Sequence, residues 1–562
     1  MTSYHLRSRC LVILLSGLAV ANPFRLTLAQ NRLPEAFVNV TEEADITATH
    51  RGEWDQFNPN FSQGYLGIGQ AWGDYDNDGW LDLYVTGNID DNVLYRNNGD
   101  GTFSVSEFSN QVSLPGVLSG GTVWADYDND GWLDLYVVNY GPNVLFQNEQ
   151  GRGFTGITAQ AGIHHTGKGS SAAWGDYNAD GYLDLYVGNW SCYPECGDPG
   201  PAEHALAQDV LYRNNGDGTF TDVSHLLIYE KLLGAAFAVS FVDYDNDGDV
   251  DIYVVNDMLK NPIGNVLWRN DGPGCGEWCW TDASAEANAD TFTYGMGLAI
   301  GDYDNDLDQD FYFTNIVNPM TLLQNQGDGT FVDIARPSRT SIGPSPAVGW
   351  GAAFFDYDND GWLDLYVTTT EFIRRQYVSG PGGIPAPPET LLVPHPDYLF
   401  RNNGDGTFTN ATPLRWQRER HPTLGLAYAD YDNDGWVDFV LGEWNQGYAL
   451  YRNITFERES NHWLTLRLRG GGPVNRDAVG ARVYLTTSDG RTQMQDVICG
   501  SSLGAGNDLA LHFGLGRASI DKVHIVWPDG TERLLDDVTS DQVMEVTYPD
   551  SVQTITVEET QR

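Results

Sequence analysis

The sequence predicts an all-β fold: a seven-bladed β-propeller of four-stranded blades, closed by an N-terminal strand and followed by a small C-terminal β domain. Three observations predict it. A nine-residue acidic motif recurs seven times, at steps of 50 to 74 residues. Each copy is flanked by the same short apolar runs, parted by Gly and Asp-Gly turns, as in a four-stranded blade. A copy of the fourth run stands before the first motif, and none follows the seventh.

In chain order, residues 1–21 read as an export signal. Arg7 and Arg9 precede the short apolar run 11–18, and Ala19-Val20-Ala21 offers a small-x-small cleavage site, with 27–29 as an alternative end at 29. That run is far shorter than the roughly 20 residues of a membrane span, and no later segment qualifies. The expected location is secreted or extracellular, or the bacterial periplasm or cell surface. An oxidising compartment would let the two C-x3-C pairs, Cys192 with Cys196 and Cys275 with Cys279, each close as a local disulfide, leaving Cys499 as a buried thiol. A formal net charge of −46 without any Lys/Arg stripe excludes nucleic acid and anionic membrane as partners.

The propeller is expected over 35–460. Blade one sets the pattern. A small apolar strand, 67–72, precedes the acidic loop. Leu81-Asp82-Leu83-Tyr84-Val85 alternates as a half-buried strand, 93–97 is a third, and the Asn98-Gly99-Asp100-Gly101 turn leads to a last strand at Phe103. The last-strand pattern recurs at Phe220, Phe331 and Phe408, with a degenerate copy at Trp280. The displaced copy at Phe37 would complete the seventh blade and remove a free sheet edge. Alternating runs over 462–550 form the second domain, and 551–562 reads as a frayed tail.

The acidic loops offer oxygen ligands at positions 1, 3, 5 and 9, with a main-chain carbonyl at 7 and Gly at 6 for the bend. These are Asp74, Asp76, Asp78, Trp80 and Asp82; Asp126, Asp128, Asp130, Trp132 and Asp134; and Asp176, Asn178, Asp180, Tyr182 and Asp184. The later loops give Asp243, Asp245, Asp247, Asp249 and Asp251, then Asp302, Asp304, Asp306, Asp308 and Asp310. The last two give Asp356, Asp358, Asp360, Trp362 and Asp364, and Asp430, Asp432, Asp434, Trp436 and Asp438. Crowded carboxylates repel unless a cation lies between them, and six to eight hard oxygens at flexible geometry suit Ca2+, up to seven ions, better than Mg2+. An EF-hand is excluded, because position 12 of the first loop is Val85 inside a strand. The third loop, with Asn178, and the fifth, with Leu307 in place of Gly, are expected to be weakest.

These repeats resemble the FG-GAP (VCBS-type) repeats of integrin α-subunit propellers, whose calcium loops share the D-x-D-x-D-G-x-x-D form between the first two strands of a blade. Residues 462–550 are similar to the ASPIC/UnbV domain, through GARV at Gly480, HFGLG at His512 and VHIVWPDG at Val523. The combination is similar to the cartilage acidic protein family and its bacterial relatives. The resemblance implies extracellular calcium binding and an interaction or adhesion role, and it implies no reaction. Nothing in the sequence supplies a G-x-S-x-G, H-E-x-x-H or P-loop motif, so no catalytic residue is assigned. Loops 189–208, 258–264 and 368–396 would project from one rim to meet a protein or glycan ligand. A lectin or a polysaccharide-acting enzyme using that rim is the alternative. Glu195, Glu371 and Glu443 are placed at blade loops, as solvated acids.

Overall fold

Each repeat folds as four antiparallel strands because its apolar runs are three to twelve residues long and are broken by turn residues. The computed structural model describes residues 35–549 and 551–555, apart from 53, 56–62, 65, 165, 191–207, 259–262, 317–318, 343–346, 376–388 and 457–459. The expected signal and the Cys192–Cys196 pair lie outside the described residues.

In blade one the strands Gln70–Gly73, Asp82–Val85, Val93–Asn97 and Phe103–Val105 pair in order. Five further blades repeat the scheme, with inner strands Ser119–Ala125, Thr166–Gly175, Ala236–Val242, Gly295–Gly301 and Ala347–Phe355. The seventh takes Thr423–Ala429, Asp438–Glu443 and Gly447–Asn453 from its own repeat, and its outer strand is Phe37–Asn39. Phe37 lies opposite Asn453, and its ring packs 4.7 Å from Phe439.

Successive inner strands pack against one another around a ring, the seventh against the first. The seam is made like the other joints. Trp124 Nε1 donates to Ala71 O at 3.3 Å between blades one and two, and Trp72 Nε1 to Ala427 O at 3.4 Å across the seam. Tyr431 stacks on Trp72 there, as Tyr127 stacks on Trp174 between blades two and three. Second strands such as Asp82–Val85 are buried on both faces, because blades cover each other.

The C-terminal domain is two four-stranded sheets. One joins His462–Arg469, Leu511–Gly516, Gln542–Thr547 and Ser551–Ile555; the other joins Arg482–Thr487, Thr492–Asp496, Ile520–Val526 and Glu532–Leu535. Leu464, Leu466, Val483, Phe513 and Ile525 form its core, which is continuous with residues of blades two and three.

Three expectations need correction. Residues 551–555 are not tail but an edge strand paired with Gln542–Thr547, because Val543, Glu545 and Thr547 each have a backbone partner there. The described parts of the stretch after Thr368 are strand, not loop. The second strand of blade six runs Asp364–Arg375 and takes Glu389–Pro394 as an added strand. Glu371 therefore lies within a strand, and Glu443 ends one, 7% exposed. Cys275 and Cys279 are disulfide-bonded, and Cys499 is a buried free thiol.

Candidate metal sites

The acidic loops join the first and second strands of every blade, so all seven face one end of the ring. Each is organised by its own carboxylates. Asp74 accepts backbone N–H bonds from Asp78 at 3.0 Å and Gly79 at 2.9 Å. Asp126, Asp176, Asp302, Asp356 and Asp430 repeat the pair. Position 9 is buried at the start of the second strand. Asp82 accepts from Tyr75 N at 3.1 Å and Asn97 N at 2.9 Å, and the other blades keep the second bond.

Position 3 divides its two oxygens. The outer one is held by the third strand: Arg96 Nε on Asp76 at 2.7 Å, Gln147 on Asp128 at 2.7 Å, Gln324 on Asp304 at 2.6 Å, and Arg401 on Asp358 at 2.5 Å. The inner oxygen of Asp76, Asp245, Asp304 and Asp358 is buried with no hydrogen-bond partner, as is Oδ2 of Asp134 and Asp438. A buried carboxylate oxygen without a partner carries a full desolvation penalty, and a cation among the carboxylates removes it. The donor set is all oxygen and therefore fits a hard dication such as calcium. Oxygens of Asp302, Asp304, Asp306 and Asp310 converge within 4.8 Å of one another, and so do three carboxylates in the first, second, fourth and sixth loops.

Burial, reinforced by neighbouring aspartates, pushes the carboxyls up: Asp74 to about 6, Asp176 to about 7 and Asp302 to about 8. The aromatic residues at position 7 do not bring their rings to the cluster. Trp80, Trp132, Tyr182 and Trp362 pack on the first glycine of the hairpin turn between the third and fourth strands, where a Cβ would collide. Leu307 takes φ 74° and its N–H still reaches Asp302 at 3.1 Å, so the fifth loop keeps its shape despite the missing glycine. The fourth loop is the outlier. Arg482 of the C-terminal domain approaches Asp243 to 3.4 Å while bound by Asp496 at 2.7 Å, and Asp243 Oδ1 has no partner.

Two rings of asparagines, unread in the sequence, tie the loops together. An asparagine of each third strand donates to the position-2 carbonyl of the preceding blade. Asn148 reaches Tyr75 O at 2.8 Å, Asn402 reaches Tyr303 O at 2.7 Å, and Asn97 closes the seam on Tyr431 O at 2.9 Å. Asn214, Asn270, Asn325 and Asn453 do the same. At position 4, where φ is between 51° and 61°, Asn77 donates to Gly131 O at 2.9 Å and Asn129 to Gly181 O at 2.8 Å, each in the next blade. Asn tolerates that left-handed backbone, and Ala179 of the third loop provides no such bond. The signal was present: the position-4 asparagine recurs in every loop but the third, and the other asparagine ends the apolar run of each third strand, as in Val93–Asn97 and Val210–Asn214.

The C-terminal domain sits on this face as a cap. Asp477 accepts from Asp126 N at 2.6 Å, Arg491 donates to Asp360 O at 2.7 Å, and His512 Nε2 lies 2.7 Å from Asn359 Oδ1. From the cap a loop of small residues enters the centre of the ring. Trp174 N donates to Cys499 O, Ser502 N to Leu298 O, and Thr122 N to Gly504 O, while Ala505 and Gly506 pair with Gln70 and Ala71. Leu503 joins Trp190, Phe237, Trp350 and Leu424 in the central apolar cluster. A Cβ on Gly504 would stand 2.7 Å from Gly121 Cα, which is why the tip is glycine.

A family model of FG-GAP-like repeats matches residues 74–137, 126–187, 204–254, 302–367 and 391–441, just over half of the chain. A model described as ASPIC and UnbV matches 471–553. Cartilage acidic protein 1 of Xenopus tropicalis is 25% identical over 293 residues, 44% of this chain and 44% of that protein. The Homo sapiens protein of the same name is 25% identical over 286 residues, 43% of this chain and 42% of its own length. The match thus spans less than half the length of these relatives. Among solved structures, an Agrocybe aegerita lectin described as recognising non-reducing terminal N-acetylglucosamine is 17% identical, with a TM-score of 0.36, covering 64% of this chain and 87% of that one. The exotype rhamnogalacturonan lyase YesX is 12% identical, with a TM-score of 0.34, covering 75% and 76%.

Proposed function

The chain belongs to the FG-GAP-like repeat family and carries an ASPIC and UnbV domain, and from that premise we propose that it is an exported calcium-binding propeller whose ions are structural. It acts as a non-catalytic interaction scaffold. The observation that carries this reading is the set of buried, partnerless carboxylate oxygens converging inside the acidic loops. Calcium among them would relieve repulsion in the loops, stiffen the asparagine rings and give the cap a rigid floor. Export accords with the Cys275–Cys279 bond.

With the cap over the acidic face, the opposite face is left for a protein or glycan partner, and the added strand Glu389–Pro394 enlarges it. The test of the calcium reading is a calorimetric titration with calcium of the wild-type chain and of Asp304→Ala. The stoichiometry is expected to approach seven and to fall by one in the variant, with the fold retained. An unchanged stoichiometry would contradict the assignment of the fifth loop.

A further inference from the structure

At the end of the blades away from the acidic loops, the seventh repeat departs from its siblings. The fifth residue after the last loop aspartate is Gly, Asn or Thr in the other six blades, but Glu443 in the seventh, where the carboxylate is 7% exposed. Its partner is His421, whose Nδ1 lies 3.1 Å from Glu443 Oε1. His421 in turn forms an antiparallel bridge with His395. Directly opposed residues project on one side with Cβ atoms roughly 5 Å apart. Both rings line one small pocket with Tyr366, Trp416 and Glu419, of about 10 Å³, space for a single water or ion.

The ring orientations are what make the pair informative. His395 Nδ1 lies 2.9 Å from Thr369 Oγ1 and 3.1 Å from Pro396 O, so a proton on Nδ1 is given to the carbonyl and the lone pair stays on Nε2. His421 places its Nδ1 against Glu443 in the same way. Neither Nε2 atom has a hydrogen-bond partner among the described residues. An imidazole whose Nδ1 is held by a carboxylate or backbone carbonyl, with Nε2 free, is the arrangement by which protein histidines are oriented for a metal.

We propose that His395 and His421 form a two-imidazole site for a borderline transition dication of the zinc class, with Glu443 as the positioning carboxylate and Glu419 at the pocket mouth. Imidazole nitrogen suits zinc, copper or nickel, whereas calcium takes oxygens, so this site and the acidic loops select different ions. The remaining coordination positions are open to water or to a donor from a partner on this face. The proposal stands independently of the calcium reading.

The test is a calorimetric titration of zinc chloride into the full chain at pH 7.5, with the acidic loops saturated by calcium, using wild type, His395→Ala, His421→Ala and Glu443→Gln. One micromolar-range site is expected in the wild type. It should weaken at least 30-fold in either histidine variant and about 10-fold in Glu443→Gln, with calcium-dependent melting retained. Zinc binding no tighter than millimolar, or equal binding by both histidine variants, would overturn the proposal. Should His421→Ala fail to fold, His395→Ala decides alone, because its ring leaves the Glu443 contact untouched.

Discussion

Among the residues of the acidic loops, two readings were open in the sequence and one was closed. Positions 1, 3, 5 and 9 announce themselves because aspartate spacing is preserved through seven copies, and the structure gathers them. The division of labour within a carboxylate was hidden, since it depends on Arg96, Gln147 and their equivalents a strand away. The fifth loop converges in spite of Leu307, and cationic side chains already touch three loops: Arg96 on Asp76 and Asp78, Arg401 on Asp358 and Asp360, and Arg482 of the cap on Asp243. Ala179 offers a direct test of the position-4 ring. Ala179→Asn supplies a donor for blade four and relieves a left-handed alanine, so thermal melting should show a gain of about 1 kcal/mol; a loss would contradict the role given to these asparagines. The carboxyls also set a pH dependence. Those pushed up to about 6 to 8 on folding hold protons that the unfolded chain releases near 4. Without calcium, the contribution of these carboxyls to stability is therefore fully present below about pH 4 and is lost as pH rises toward 8. Melts in chelator across that range should fall with pH, and calcium should abolish the decline.

At the level of strands, blade composition was legible because period-two runs and N-G-D-G turns leave few alternatives. Closure was legible too, since a displaced strand has no other use. Phe37 carries that closure: it is 2% exposed and packs against Phe439, Trp416 and Tyr357. Phe37→Ala should cost about 3–5 kcal/mol, read as a lowered denaturant midpoint, whereas a surface residue of the same strand should cost little. A cost under 1 kcal/mol would mean that the seam is held elsewhere. The added strand of blade six, Glu389–Pro394, and the strand 551–555 were not legible. Each is defined by backbone pairing between segments of mixed composition; residues 551–554 are exposed on both faces, and a strand whose two faces are alike carries no period-two mark.

In the whole molecule, the relation between the two domains was the least readable feature, because none of the cap's contacts repeat. Asp477 meets the second loop, Arg482 the fourth, and Arg491 and His512 the sixth, each through a different kind of contact. One trace existed: the run Gly500-Ser501-Ser502-Leu503-Gly504-Ala505-Gly506 is too small for an ordinary strand and suits close backbone approach in the centre of the ring. The cap therefore rests on the very loops that calcium is proposed to fill, and ion binding, ring closure and cap seating become one cooperative unit. If each of seven sites contributes about 1.4 kcal/mol at tenfold excess over its dissociation constant, the total is about 10 kcal/mol. For a chain of this size that corresponds to a shift of about 9 °C. The most direct measurement is a pair of thermal melts at pH 7.5, one in millimolar calcium and one in excess chelator. The account predicts a midpoint lower by about 9 °C in chelator, and superimposable melts would contradict it.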